Sequence, residues 1–177
     1  YDLPNLVHSP EFLTARCAYT DAQIPSRNII GVPVPSRDGT GLFTGGNRAG
    51  EELNILYHYR FPAVPVHLMT SDESEAVKLF VNGFFAVKLS YWNEMRSLSD
   101  ALGMNWDKVM EGVLSDGRIA YSHTSVPGPD GKCGYGGACL CKDLANLIDC
   151  QKQLLTNPIM TKAARQRNDL YEREDSL

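Results

Sequence analysis

The stretch "TSDESEAVKLFVNGFFAVKLSYWNEMRSLSDAL", Thr70 to Leu102, contains no proline and one glycine, Gly83. It opens on "TSDE", the spacing of a capping box, with Thr70 as N-cap and Glu73 reaching back. This predicts a single helix of about 30 residues and ~45 Å. Its apolar positions include Val77, Val81, Phe84, Phe85, Leu89 and Trp92. Lys78 and Asn82 lie four apart, hence on one face, and their line continues into Phe85 and Leu89. Either Lys78 snorkels and Asn82 caps something nearby, or both point into an enclosed polar cavity. There an ammonium and an amide would stabilise a developing oxyanion.

Upstream of this helix the pattern alternates. "NIIGVPV" (Asn28 to Val34) reads as a strand, "EELNILYHYR" (Glu51 to Arg60) as a helix and "VPVHLMT" (Val64 to Thr70) as a strand. Between the first two lies a turn-rich loop, Pro35 to Gly50. "SPEFL", from Ser9, reads as a loop leaving a strand, because Pro10 keeps Ser9 extended. Glu11 there is a loop carboxylate, of a kind usually solvated.

Downstream the chain reads as all-helical. Asn105 caps a short helix, and a Gly/Pro-rich loop runs from Gly117 to about Ala138. A helix follows over roughly Cys139 to Leu155, and a last one from near Pro158 to about Tyr171. The tail "EREDSL" is charged and expected to fray. The fold class is thus α/β for residues 1–70 and all-α for residues 71–177.

"GYGGACLCKD", Gly134 to Asp143, is the chemical focus. Gly134, Gly136 and Gly137 allow positive φ and close approach of backbone to a ligand. Consecutive amides there could form an anion nest. Cys139 falls at a helix start, where the dipole favours a thiolate, with Lys142 beside it. Asp143 lies one turn on and could act on a water or a proton. The same pattern also fits a loop-to-helix junction with a buried structural cysteine.

Composition narrows the classes. Hydrophobic residues make up 43% and charged residues 21%, with a net charge of −4, ordinary for a soluble domain. The basic residues are scattered, so no nucleic-acid partner is expected. No apolar run approaches the ~20 residues of a membrane span. Five cysteines without a secretory signal suggest a reduced, cytoplasmic setting. Cys139 and Cys141 are spaced C-x-C, a poor zinc pattern, and no metal site is expected. A first residue of Tyr1 suggests a fragment or processed product.

Three stretches in order, "SPEFL" with "PSRNIIG", then "SEAVKLFVNGFFAVKLSYWNE", then "GYGGACLCKD", resemble the UDP-glucose dehydrogenase family. That family groups with the GDP-mannose dehydrogenases. The K-x-x-x-N helix and the C-x-x-K-D glycine loop are its hallmarks. The resemblance implies the end of a Rossmann-like NAD-binding domain (1–70) and a helical, 6-phosphogluconate dehydrogenase-like central domain (71–177). It implies a nucleotide-sugar substrate, two NAD reduced, and a homodimer built on the long helix. It makes Cys139 the nucleophile, Lys78 and Asn82 oxyanion stabilisers, and Asp143 and Glu11 the groups that move protons. Phe12, Leu13, Gly134, Tyr135, Gly136 and Gly137 would hold substrate. Arg118 would reach a neighbouring subunit's substrate, and Lys142 the cofactor. The chain departs from the pattern at Ala15, where the family has a second glutamate. It also lacks the G-x-G-x-x-G fingerprint, and "FTGGNRAG" is read as opening no β-α-β unit. A different class of protein, a non-catalytic dimerisation or sugar-nucleotide-binding module, is the alternative.

Overall fold

The computed structural model describes residues 6–33 and 48–173. Val34, the loop up to residue 47 and the tail from residue 174 lie outside the described residues. The chain forms two compact units, one ending at Lys78 and one beginning at Leu79.

In the first unit β1 (Asn28–Val32) pairs in parallel with β2 (Val66–Thr70), Asn28 opposite Val66 and Val32 opposite Thr70. Parallel strands need a crossover, and it contains helix α2 (Arg48–Arg60). The expectation for "FTGGNRAG" is corrected here: its last three residues are the first turn of α2, inside a strand-helix-strand unit. Its other glycines lie outside the described residues. A short helix α1 (Ala18–Gln23), preceded by a 3-10 turn at Ala15–Cys17, sits where no element was expected. The Asp21 carboxylate accepts from the Thr14 amide at 2.8 Å and closes this corner.

β1 supplies the buried apolar surface of this unit, with Ile29, Ile30 and Val32 each at most 5% exposed. Gly31 sits between them for a steric reason. A Cβ there would lie 2.5 Å from the Ser74 Cβ and 3.0 Å from the Ser71 Cα. Gly31→Val is therefore expected to destabilise the fold by about 2–3 kcal/mol, since backbone cannot yield as a side chain can. Urea denaturation checks this, and an unchanged midpoint would refute it.

Helix α3 (Ser71–Ala101) has 31 residues. Its capping box is as expected: the Thr70 amide donates to Glu73 Oε2 (2.8 Å) and the Glu73 amide to Thr70 Oγ1 (3.2 Å). The bond from Thr70 holds the Glu73 carboxyl below its ordinary range. Phe84, one of the apolar positions of this helix, is 61% exposed, and Phe80 on the same face is 62% exposed. The buried line runs instead through Asn82, Gly83, Ala86, Ser90 and Asn93. Small and polar residues fill it because helices and loops pack against it closely. At Gly83 a Cβ would come within 2.6 Å of Leu147.

The remaining helices are α4 (Trp106–Leu114), α5 (Ala138–Gln153) and α6 (Ile159–Arg167). Asn105 caps α4 by accepting from the Lys108 amide at 3.1 Å. One core gathers Ala86, Tyr135, Leu144 and Ile148, and a second gathers Trp92, Trp106, Met110 and Val126. Helix α6 does not simply fray. It passes into a π-helical turn, Asn168–Glu172, and Arg173 beyond it is 9% exposed. The first two residues of the expected frayed tail are thus anchored.

Candidate active site

Each unit brings together part of the expected set. In the first, Lys78 does not snorkel. Its ammonium donates to the main-chain oxygen of Glu11 at 2.6 Å and to Glu11 Oε1 at 2.9 Å. The other carboxylate oxygen of Glu11 accepts from the Leu13 amide at 2.7 Å. Phe12 lies under the Arg27 guanidinium, 4.0 Å from the ring centre, with the Lys78 ammonium at 5.6 Å. Cations on an aromatic face are attracted to its quadrupole. One turn earlier on α3, buried Ser74 Oγ meets His8 Nδ1 at 2.8 Å. The first turns of α3 therefore set the conformation of the "HSPEFL" loop.

In the second unit the centre is Asp143, 3% exposed. Asn82 Nδ2 donates to its Oδ2 at 2.6 Å, and the Lys142 ammonium contacts its Oδ1 at 2.6 Å. A carboxylate only accepts, so the Asn82 amide must turn its NH₂ toward it. That NH₂ carries a second N–H, which can serve another acceptor. Cys139 is exposed, on the first turn of α5, one turn from Asp143 and hence on its face. The Lys142 ammonium pairs with Asp143, while the length of its side chain stays 67% exposed.

The glycine loop differs from an open anion nest. The Gly134 amide donates to Asn93 Oδ1 and the Tyr135 amide to Asn168 Oδ1, each at 2.8 Å. Tyr135 is 3% exposed, and burial, with the Asp169 charge adding, pushes its phenol well above the usual range. Its ring belongs to the core. Gly137, the N-cap of α5, has φ 80° and open space around its Cα, so its left-handed backbone accounts for the glycine. Arg118 is 90% exposed, and its guanidinium pairs with Asp116 at 2.6 Å. Leu13 is 40% exposed.

Sequence reasoning missed Asn93, Asn168, Asp130 and Arg173, which hold this loop. Asn93 was findable: it lies 11 residues after Asn82, three helical turns on and along the same stripe. Nothing local marks the other three. No described residues group three or more His, Cys, Asp or Glu as a metal set. No described helix is long and apolar enough to cross a membrane.

The glycine loop thus delivers an exposed cysteine to a helix start, with an Asn–Asp–Lys cluster one turn on. Residues 72–170 match the UDP-glucose/GDP-mannose dehydrogenase family, central domain, and the chain belongs to that family. Among its relatives, UDP-glucose 6-dehydrogenase from Campylobacter jejuni is 32% identical over 173 residues, covering 94% of this chain and 39% of the relative. The Pseudomonas aeruginosa enzyme of that name is 34% identical, covering 93% of this chain and 34% of its own length. Among solved structures, a UDP-glucose dehydrogenase from Pyrobaculum islandicum superposes with TM-score 0.76 at 29% identity, over 92% of this chain and 33% of that one. The chain therefore spans between a third and two fifths of these relatives.

Proposed function

We propose that this chain is the part of a nucleotide-sugar dehydrogenase that carries its nucleophile. UDP-glucose is the first candidate substrate and the carboxylate the product. The observation that carries the reading is buried Asp143, which lies one turn after exposed Cys139 on α5 and holds the Asn82 amide. Cys139 Sγ adds to the aldehyde carbon, a C–S bond forms, and the carbonyl oxygen becomes an oxyanion. The spare N–H of Asn82 and the Lys78 ammonium stabilise that charge. With a nicotinamide oxidant bound, the primary alcohol would be taken to the aldehyde and the adduct to a thioester, a hydride leaving the sugar carbon each time. Water then adds to its carbon, the C–S bond breaks, the thiolate leaves and the carboxylate forms. Glu11 and Asp143 act as the proton-handling and water-orienting carboxylates.

Kinship suggests NAD as the oxidant. The described sheet has two strands, no G-x-G-x-x-G occurs in the sequence, and the Lys142 ammonium is held by Asp143. These residues do not by themselves fit a dinucleotide. The parallel β1–α2–β2 unit supports the reading of residues 1–70 as part of a Rossmann-like domain, with residues 71–177 as the central helical domain. The homodimer finds support in α3. Phe80, Phe84, Tyr91 and Leu98 recur along one side and are each more than half exposed, an apolar seam of the kind helices bury together.

Absorbance at 340 nm tests the activity. A protein in which this chain is joined to a dinucleotide-binding domain is expected to form two NADH per UDP-glucose, and the 177-residue chain none. A product arrested at the aldehyde, with one NADH per sugar, would overturn the thiol route.

A further inference from the structure

We infer that the turn after α6, through Asn168 and Arg173, is a clamp that positions the glycine loop and thereby the Cys139 thiol. The inference rests on the reading of Cys139 as nucleophile.

Four consecutive loop residues are engaged. The Cys133 carbonyl accepts from Arg173 Nε at 2.9 Å. The Gly134 amide is taken by Asn93 from α3 and the Tyr135 amide by Asn168. The Gly136 backbone packs against the Arg173 guanidinium so closely that a Cβ there would collide with it. A Cβ at Gly134 would likewise meet Asn168 at 2.4 Å and Glu172 at 2.7 Å. Two residues beyond Gly137 comes Cys139. Arg173 also holds Asp130, at the loop's entry, at 2.6 Å, and this bond keeps the Asp130 carboxyl below its ordinary range.

These are expensive choices for filling space. The Arg173 side chain is 7% exposed, and burying a charge costs more than burying an apolar group of similar size. Asn168 is fully buried, and its Nδ2 has no partner among the described residues, an orphan donor that a purely structural site would shed. It opens a π turn, a distortion found often at functional sites. The clamp is itself fixed to α3: Ser90 Oγ donates to the Ala164 carbonyl at 3.1 Å, and Arg167 donates to Ser97 Oγ at 2.8 Å and to Glu172 at 2.7 Å. Asn93, Ser90 and Ser97 belong to the helix that carries Asn82, so loop and amide share one frame.

The test uses the whole chain and substitutions on both sides of one contact, Arg173→Lys and Gly136→Ala. Asp130→Asn, at a half-exposed residue, serves as the variant least able to unfold the protein. Two readouts are taken: hydrogen exchange at the amides of residues 134–137, and iodoacetamide alkylation of Cys139 relative to exposed Cys150. Arg173→Lys and Gly136→Ala are each expected to speed exchange about tenfold, the size of one lost charge-assisted hydrogen bond. They should also shift the Cys139/Cys150 ratio by about tenfold, with helix content intact. In the joined dehydrogenase, Arg173→Lys should lower kcat with KM held, and a change in KM alone would count against the clamp. Unchanged exchange and an unchanged ratio in all three variants overturn the inference. Loosened exchange with a ratio near one throughout leaves the clamp standing and sinks the nucleophile reading instead.

Discussion

Cys139→Ser is expected to lower kcat for nucleotide-sugar oxidation on the order of 10³-fold, while substrate still binds. A hydroxyl is almost wholly protonated near neutral pH and is a weak nucleophile unless a base takes its proton. The nearest carboxylate along α5 is Asp143, and its two oxygens are already engaged by Asn82 and Lys142 at 2.6 Å each. A carboxylate can guide a proton during attack by water, but it is far too weak a base to ionise a serine hydroxyl outright, so the serine would lack a strong base. A thiol ionises far more easily and suffers less from that lack. Initial rates of NADH formation in the joined dehydrogenase give the measurement. Iodoacetamide should stop turnover of the unsubstituted enzyme at the rate at which Cys139 is labelled. A serine variant that keeps a tenth of the activity would exclude covalent catalysis at this position.

Asn82→Leu should cost both stability and rate, and the two losses can be separated. Removing the amide leaves Asp143 Oδ2 without the Asn82 donor in a site 3% exposed. An unmet buried acceptor costs about 1–3 kcal/mol, a fall of roughly 5 °C in Tm for a chain of this size. Loss of the oxyanion donor should lower kcat by about 10²–10³-fold. In the double variant Asn82→Leu with Asp143→Leu, the buried charge is gone as well. Its Tm should recover most of the loss, because replacing both partners by apolar groups is nearly neutral. Its turnover should not recover. A double variant that regains activity together with Tm would make Asn82 a structural residue only.

The elements governed by local rules were legible in the sequence. The capping box at Thr70, the proline-free run to Ala101 and the Asn105 cap depend on neighbours a few residues away, and all three stand. So does the strand-helix-strand order. What the sequence concealed depends on long-range partners. Phe84 looks like core by type, yet the inner side of α3 is reserved for small and polar residues that let loops approach. Lys78 looks like a snorkelling lysine until Glu11, 67 residues away, supplies two oxygens. Asn168 and Arg173 carry no local signal, because their partners lie 33 and 40 residues earlier. Kinship marked Gly134 and Tyr135 as ligand-facing, while their amides meet side chains from two different helices.

The π turn at Asn168–Glu172 converts chain length into aim. A π turn holds one residue more than the α turn it replaces. Deleting that extra residue would close an α turn of about the same sweep and leave Arg173 near its present angle. The same deletion inside α6, where the turn is already α, would swing Arg173 about 100° around the axis and take its guanidinium off Gly136 with no change to either residue. The residue count between α6 and Arg173 is therefore read at the glycine loop, and the π turn is the one place along it with a residue to spare.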